Sequence, residues 1–256
     1  MNSNSGALII AHPGHELRVY GWIARVRPIV FVLTDGSGHA GRSRLDSTTA
    51  ILDQLGARRG SVYGRLTDKQ LYAAILDHEC ALLANLIEEI ADALIADEIT
   101  LVAGDAMEGY NSGHDLCRVI ADAAVKRASR RSGSEIASFD FPLTGHPDSC
   151  SESARNAIRL ELDDQTFDRK IAAARRYREL FNDVEQAFRE HGEEAFRVEC
   201  LRPVVEECIA PFDEPPFYES YGERQVAAGY YDRVLRYRQH FLPLALELRR
   251  RAEEKS

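Results

Sequence analysis

The chain has few cysteines, a deficit of basic residues and no long apolar run, and each shortage excludes a class of protein. Its 256 residues contain 5 cysteines, and no two of them form a Cys-x-x-Cys pair. An odd number of cysteines without a Cys-x-x-Cys pair is not typical of a disulfide framework or a zinc ribbon, so we expect reduced thiols and a cytoplasmic protein. The net charge of −9 argues against a nucleic-acid partner, because phosphate binding needs clustered Lys and Arg.

The apolar segments that are present are short. The first spans residues 7–11 after a polar N-terminus, which is too short for a secretory leader or a membrane span. A hydrophobic content of 45% with 29% charged residues is that of a globular protein with a buried core. We expect one domain over residues 1–256. Helical amphipathicity leaves open whether it forms an oligomer.

Strands and helices alternate along the first half of the chain, residues 7–145. This alternation predicts an α/β fold, a Rossmann-like parallel sheet with helices on both faces. The predicted strands lie at residues 7–11, 29–33, 61–63, 99–103 and 135–139. The predicted helices lie at about residues 16–27, 46–55, 67–96 and 115–129.

The remaining residues, 151–256, have a different character. Two strongly charged stretches, at residues 160–191 and 224–251, carry apolar residues at helical spacing. They predict a helical elaboration that packs on the sheet and presents a solvated charged face.

Three histidines follow predicted strand ends. His12 and His15 come directly after the first strand, and His114 begins a helix after the fourth. Because the carboxyl ends of parallel strands meet at one edge of a sheet, we expect these imidazoles to lie together and bind zinc, with water as the fourth ligand. His39 and His146 follow other strands and are rival ligands. The alternative for each histidine is a turn or capping position without metal.

Taken in order, these motifs resemble the LmbE/PIG-L family of zinc-dependent N-acetylglucosaminyl deacetylases. His12-Pro13-Gly14-His15-Glu16 is similar to the family signature His-Pro-Asp-Asp-Glu, and residues 109–114 are similar to its His-Pro-Asp-His motif. Residues 33–36 and Arg44 fall where the family has a Thr-x-Gly-Glu loop and an arginine at the start of the second helix. The resemblance covers roughly residues 7–145.

The resemblance implies a cytoplasmic zinc-dependent hydrolase that removes the acetyl group of an N-acetylated sugar or sugar conjugate. It implies His12, His15 and His114 as the zinc ligands. Arg44 and His146 are then expected to contact the small-molecule substrate.

The chain also departs from the family pattern. The general base of the family is Gly14 here, its aspartate ligand is His15, and the aspartate before the last ligand is Gly113. Asn111 replaces a histidine of the second motif, and its amide can still donate a hydrogen bond to an oxyanion.

Loss of the base leaves two interpretations. In the first, another carboxylate near the site serves as base or orients a ligand. Asp35 and Asp115 are the foremost candidates, and Glu16, Asp105 and Glu108 are the alternatives. In the second, the chain is a non-catalytic sugar-binding or scaffold protein that keeps the fold and the metal.

One C-terminal segment is a further candidate. Residues 218–224 carry two tyrosines among charges, and we expect them to fold over the same sheet edge and form a wall of the site. A plain surface turn is the alternative.

Overall fold

The computed structural model describes residues 5–38, 41–148, 150, 156–204, 212 and 214–254. Within them, seven strands form a sheet in the order β3-β2-β1-β4-β5-β7-β6. The strands are β1 Gly6–Ile10, β2 Ile29–Thr34, β3 Arg58–Leu66, β4 Leu101–Asp105, β5 Ala137–Phe141, β6 Ile158–Glu161 and β7 Val198–Pro203. The α-helices are α1 Tyr20–Val26, α2 Leu45–Leu55, α3 Asp68–Leu76, α4 Cys80–Ala96, α5 Ser112–Ser132, α6 Asp164–Arg176, α7 Phe181–His191, α8 Phe217–Ala227 and α9 Leu242–Glu253.

Strands β1 to β5 are parallel, and β1 lies between β2 and β4. Every residue of β1 is buried, as expected of a central parallel strand covered on both faces. Ala7 and Ile9 pack with α3, α4, α5 and α9, whereas Leu8 and Ile10 pack with α1, α2 and α6. The predicted α/β fold with helices on both faces of the sheet is confirmed.

The C-terminal elaboration is not wholly helical, which corrects the prediction. Strands β6 and β7 extend the sheet in antiparallel orientation, and β7 pairs with β5. The stretch 160–191 begins inside β6 and contains α6 and α7 with a break at Tyr177. In β6 the apolar Ile158 and Leu160 alternate with the charged Arg159 and Glu161, which is a strand pattern, but four residues are too few to separate it from the charged helical stretch that follows.

Two other predicted helices are interrupted. The stretch 67–96 splits into α3 and α4, and His78 between them has a φ of 52°. The stretch 224–251 contains the end of α8, a loop, a π-helical turn and α9. Leu244 and Leu248 of α9 are buried in the core with α5. Within the described residues no helix is both long and apolar enough to cross a membrane.

One disulfide joins Cys150 to Cys200, with their Cα atoms 5.6 Å apart. The expectation of reduced thiols throughout is therefore wrong for this pair, while Cys80 and Cys117 are free. The two cysteines are 50 residues apart in the chain, and a pairing at that distance cannot be deduced from an odd set of isolated cysteines. Cys208 lies outside the described residues. Since disulfides persist mainly in oxidising environments, this bond does not support the expected cytoplasmic location.

Candidate active site

Three histidine rings meet at the carboxyl edge of the sheet. His12 follows β1, His15 begins a 3-10 helix over His15–Val19, and His114 lies in the first turn of α5. The ring centroids are 5.4 Å apart for His12 and His15. They are 5.1 Å apart for His12 and His114, and 4.5 Å apart for His15 and His114. The topology therefore brings together the three imidazoles that the sequence singled out.

The ring of His12 is held by groups from two neighbouring elements. Its Nδ1 lies 2.9 Å from Oδ1 of Asp68, at the start of α3, and 2.7 Å from the hydroxyl of Thr34, at the end of β2. The Thr34 hydroxyl also donates to the same Asp68 oxygen, and the other oxygen accepts from the N–H of Gly38. Although burial alone would raise it, hydrogen bonds from His12 and Thr34 hold the pKa of Asp68 well below its usual value.

The ring of His15 is held in the same way by Asp105, the last residue of β4. Nδ1 of His15 lies 2.9 Å from Oδ2 and 3.0 Å from Oδ1 of this fully buried carboxylate, which also accepts from the N–H of Ala11. Burial lowers the pKa of His15 even though Asp105 opposes the shift. Because Nδ1 of both His12 and His15 donates to a carboxylate, Nε2 of each ring keeps its lone pair for a ligand.

His114 has no such support within the described part of the chain. Its Nδ1 is buried and makes no hydrogen bond there. Burial, with smaller contributions from His15 and His12, lowers its pKa well below the usual value, so the ring is neutral. A buried nitrogen without a partner costs about 1–3 kcal/mol.

This donor set has the chemistry of a metal site. Neutral imidazoles backed by carboxylates are the common arrangement around zinc, and a metal held at the unpartnered nitrogen of His114 would remove its cost of burial. Three imidazoles on one tetrahedral zinc would place their centroids about 5 Å apart, close to the observed spacings. As the side chains stand, however, the described His, Cys, Asp and Glu residues include no group of three or more arranged to hold a metal ion.

The backbone at Gly14 leaves little room for a side chain. Gly14 has a φ of +111°, and a Cβ there would lie 2.2 Å from Cδ1 of Leu180. Neither the backbone nor the neighbouring side chain favours an aspartate at this position. The N–H of Gly14 donates to Glu16, whose fully buried carboxylate also accepts from the Thr48 hydroxyl. Burial raises the pKa of Glu16 to about 7. Glu16 therefore stabilises the turn, and its described hydrogen bonds are not with the histidines.

The turn before His114 is equally constrained. Asn111 is the N-cap of α5, and its Oδ1 accepts from the N–H of Gly113 at 2.7 Å. A Cβ at Gly113 would lie 3.2 Å from Nε2 of His12, so a side chain at this position would press on the ring. Asn111 therefore uses its amide oxygen to fix the first turn of the helix that carries His114.

Arg44 lies close enough to the rings to act on their charge. It is the N-cap of α2, and its Nε donates to the carbonyl of Gly36 at 2.5 Å. Its positive charge contributes to the lowered pKa of both His15 and His114.

The two carboxylates expected as bases hold their own loops. Oδ1 of Asp35 accepts from the N–H of Ser37 at 3.0 Å. Oδ1 of Asp115 accepts from the N–H groups of Glu108 and Gly109, and its buried Oδ2 has no partner in the described residues. Burial raises the pKa of Asp115 to about 7. The hydrogen bonds described for both residues lie outside the histidine cluster.

One of the two rival ligands, His146, makes its described contacts elsewhere. Nδ1 of His146 accepts from the N–H of Asp148, and the exposed His146 ring lies 5.7 Å from that of His191. Its described contacts do not include the three clustered rings. His39 lies outside the described residues.

The tyrosine segment is placed differently from the expectation. Residues 218–224 lie in α8, where Tyr218 is buried in the core rather than on a pocket wall. Its neighbour in sequence, Phe217, stacks on Tyr110 of the loop that carries Asn111, with ring centroids 4.9 Å apart. The helix that contains the segment thus contacts the loop after β4 through Phe217.

The sequence reasoning missed Asp68. The sequence feature that could have indicated Asp68 is the capping box at the start of α3, in which the Thr67 side chain accepts from the N–H of Gln70. This box directly follows a strand. The predicted strand ends at Tyr63, whereas β3 ends at Leu66. Asp68 was therefore not recognised as a residue at the carboxyl edge of the sheet. Asp105, by contrast, was among the carboxylates expected to orient a ligand, and it does contact His15.

The fold is shared with several solved deacetylases. No family model and no curated protein matches the chain. The zinc-inhibited form of teicoplanin deacetylase Orf2 is 14% identical with a TM-score of 0.53, covering 80% of this chain and 100% of its own. The A40926 pseudoaglycone deacetylase Dbv21 is 19% identical with a TM-score of 0.53, covering 80% and 98%. The conserved protein TT1542 from Thermus thermophilus is 18% identical with a TM-score of 0.51, covering 82% and 99%. At these identities the likeness establishes the fold: the chain has the α/β fold of deacetylases.

Proposed function

We propose that the chain is a divergent LmbE/PIG-L-type, zinc-dependent hydrolase that removes the acetyl group of an N-acetylated sugar or sugar conjugate. The observation that carries the proposal is the meeting of three imidazoles at the carboxyl edge of a sheet with the fold of deacetylases. His12, His15 and His114 would hold the metal. Such a metal polarises an amide carbonyl and lowers the pKa of bound water to about 7.

The surrounding residues have separate tasks in this proposal. Asp68 and Asp105 keep the proton on Nδ1 of their histidines and fix the ring orientations. Asn111 donates a hydrogen bond to the oxygen of the acetyl group as it becomes negative. Arg44 binds a polar substituent of the sugar. Because imidazole replaces a carboxylate ligand at His15, the site carries one negative charge fewer, which favours ionisation of water with less help from a base.

The neighbours in structure suggest the substrate class. The names of two neighbours give teicoplanin and the pseudoaglycone of the antimicrobial A40926 as the compounds that they deacetylate. We therefore propose a small-molecule N-acetylated sugar conjugate as the substrate, and Asp35 or Asp115 as the general base where one is used. A role for His146 in substrate binding stays a prediction.

The test is release of acetate from N-acetylglucosamine glycosides and from N-acetylated glycopeptide pseudoaglycones. We expect release by the protein loaded with zinc, loss on treatment with a chelator and recovery when zinc is returned. His114→Ala should abolish it, while His191→Ala, a matched removal of an imidazole outside the cluster, should not. Asp35→Asn and Asp115→Asn identify the base, since the essential carboxylate cannot be replaced by its amide.

The second candidate function is sugar binding without hydrolysis. It is favoured by Gly14, which supplies no carboxylate and has Leu180 packed against it. Binding of the glycoside with no acetate release under any metal condition would establish this function and reject the hydrolase.

A further inference from the structure

Two large aromatic side chains are exposed beside the turn that leads into α5. Tyr110 and Phe217 keep 51% and 46% of their surface exposed. Their ring centroids are 4.9 Å apart and their planes differ by 2°, so the rings lie face to face. They come from segments far apart in the chain, the loop after β4 and the start of α8. The fold has therefore assembled a flat aromatic surface that it does not bury.

The loop under Tyr110 is firmly held. The carboxylate of Asp115 accepts from the N–H groups of Glu108 and Gly109, two successive residues of the tight turn before the ring. Directly after Tyr110 comes Asn111, the N-cap of the helix that carries His114. The ring therefore stands on the same rigid turn that positions one imidazole of the cluster.

The other side of the stack is held by α8. A Cβ at Gly109 would lie 3.4 Å from Cβ of Pro216, so the two segments are in close contact. The ring of Tyr221 lies 6.3 Å from that of Phe217, and the guanidinium of Arg224 lies 5.6 Å from the same ring. Phe217 is thus packed by its own helix, and it supports one face of Tyr110. The exposed half of Tyr110 is what remains for a ligand.

We propose that Tyr110 is a stacking platform for the pyranose ring of the substrate, a specificity element beyond the residues of the metal site. This inference rests on the proposed function. The C–H face of a pyranose is apolar and slightly positive, whereas the face of an aromatic ring is negative, so the two attract. The phenol hydroxyl at the rim can also exchange hydrogen bonds with sugar hydroxyls.

A sugar suits this surface better than a protein partner does. A stable protein interface buries about 800 Å² on each partner, far more than one exposed tyrosine face offers. Tyr110 also directly precedes Asn111, the N-cap of α5, so the platform lies on the segment that carries the His114 imidazole. Small-molecule sites in general combine an apolar surface with a few fixed polar groups.

The experiment measures binding rather than turnover. The probe is the methyl β-glycoside of N-acetylglucosamine, titrated into the whole protein with its metal removed by chelator, and followed by proton NMR. Stacking on Tyr110 should shift the C–H protons of the sugar upfield. Tyr110→Ala should remove the shift and weaken binding about three- to tenfold. Tyr110→Phe and Tyr110→Trp should keep the shift, and Leu246→Ala, which removes an exposed apolar side chain on α9, should change nothing.

The outcomes separate this inference from the hydrolase. If the protein releases no acetate but binds the sugar with a Tyr110-dependent upfield shift of the sugar protons, the platform is supported and the hydrolase proposal is rejected. If acetate is released with the same KM by Tyr110→Ala and wild type, the platform is overturned and the hydrolase stands. The platform is likewise overturned if wild type binds no glycoside, or if a folded Tyr110→Ala variant, checked by its circular dichroism, binds it unchanged.

Discussion

Replacing Gly14 with alanine tests whether the structure tolerates a side chain at position 14. The φ of +111° at Gly14 is one that a residue with a Cβ rarely adopts, and Leu180 occupies the position that a Cβ would approach. The backbone strain is worth about 1–3 kcal/mol. The clash is with the end of a flexible side chain, so we expect it to add only about 1 kcal/mol, the lower end of overpacking costs.

Gly14→Ala should therefore lower the free energy of unfolding by about 2–4 kcal/mol, and the Tm by at least about 4 °C. Urea denaturation followed by circular dichroism measures it. Gly133→Ala is the matched control, because Gly133 has a φ of +71° with nothing within 4 Å of its Cβ position and so reports strain without a clash. In a Leu180→Ala background the cost of Gly14→Ala should fall by about 1 kcal/mol, the coupling between the two positions.

The reasoning is refuted if Gly14→Ala is no more destabilising than Gly133→Ala, or if Leu180→Ala leaves its cost unchanged. The same geometry bears on Gly14→Asp. We expect that change to destabilise the turn rather than to raise hydrolysis.

Three further predictions follow from buried contacts. Asp68→Asn should weaken zinc binding about 10–100-fold, measured by competition with a chromogenic chelator, because it removes the carboxylate that orients His12; unchanged affinity would reject that role. Lys170→Met should lower the free energy of unfolding in denaturant by about 3–5 kcal/mol, because it removes the cation that pairs with the buried Glu199 carboxylate. A decrease under about 1 kcal/mol would contradict this. Reducing the disulfide, whose cysteines are 50 residues apart, should lower the unfolding free energy by about 4 kcal/mol, and identical urea midpoints with and without reductant would argue against the bond.

The parallel half of the fold could be predicted from the sequence because its strands are apolar runs buried on both faces. The run at β1 has no other stable location than the centre of a covered sheet, and its end fixes where His12 and His15 emerge. Strands β6 and β7 could not be predicted in the same way. β6 is four residues long, so its alternation of apolar and charged residues is too short to stand out beside the charged helical stretch that follows it.

The site was predictable at the level of its histidines and not at the level of their partners. Asp105 ends a buried strand, where a carboxylate stands out, and it was a candidate. Asp68 lies in the first turn of a helix, where an acidic residue is ordinary, so its contact with His12 depends on the tertiary structure alone. Gly14 stood out in the sequence as a departure from the pattern it resembles, but its positive φ and its contact with Leu180 depend on packing between distant elements.

The carboxylate of Glu199 has a consequence for the order of events during synthesis. It accepts hydrogen bonds from the backbone N–H groups of Gly21 and Trp22 and forms an ion pair with Lys170, and it lies 178 residues after Gly21. At about 5–20 residues per second, a ribosome makes Glu199 only about 9–36 s after Gly21. During that interval the first turn of α1, directly after the histidine turn, lacks the acceptor that completes it. The N-terminal half of the sheet is therefore synthesised before the acceptor for the first turn of α1, which the late antiparallel strand β7 supplies.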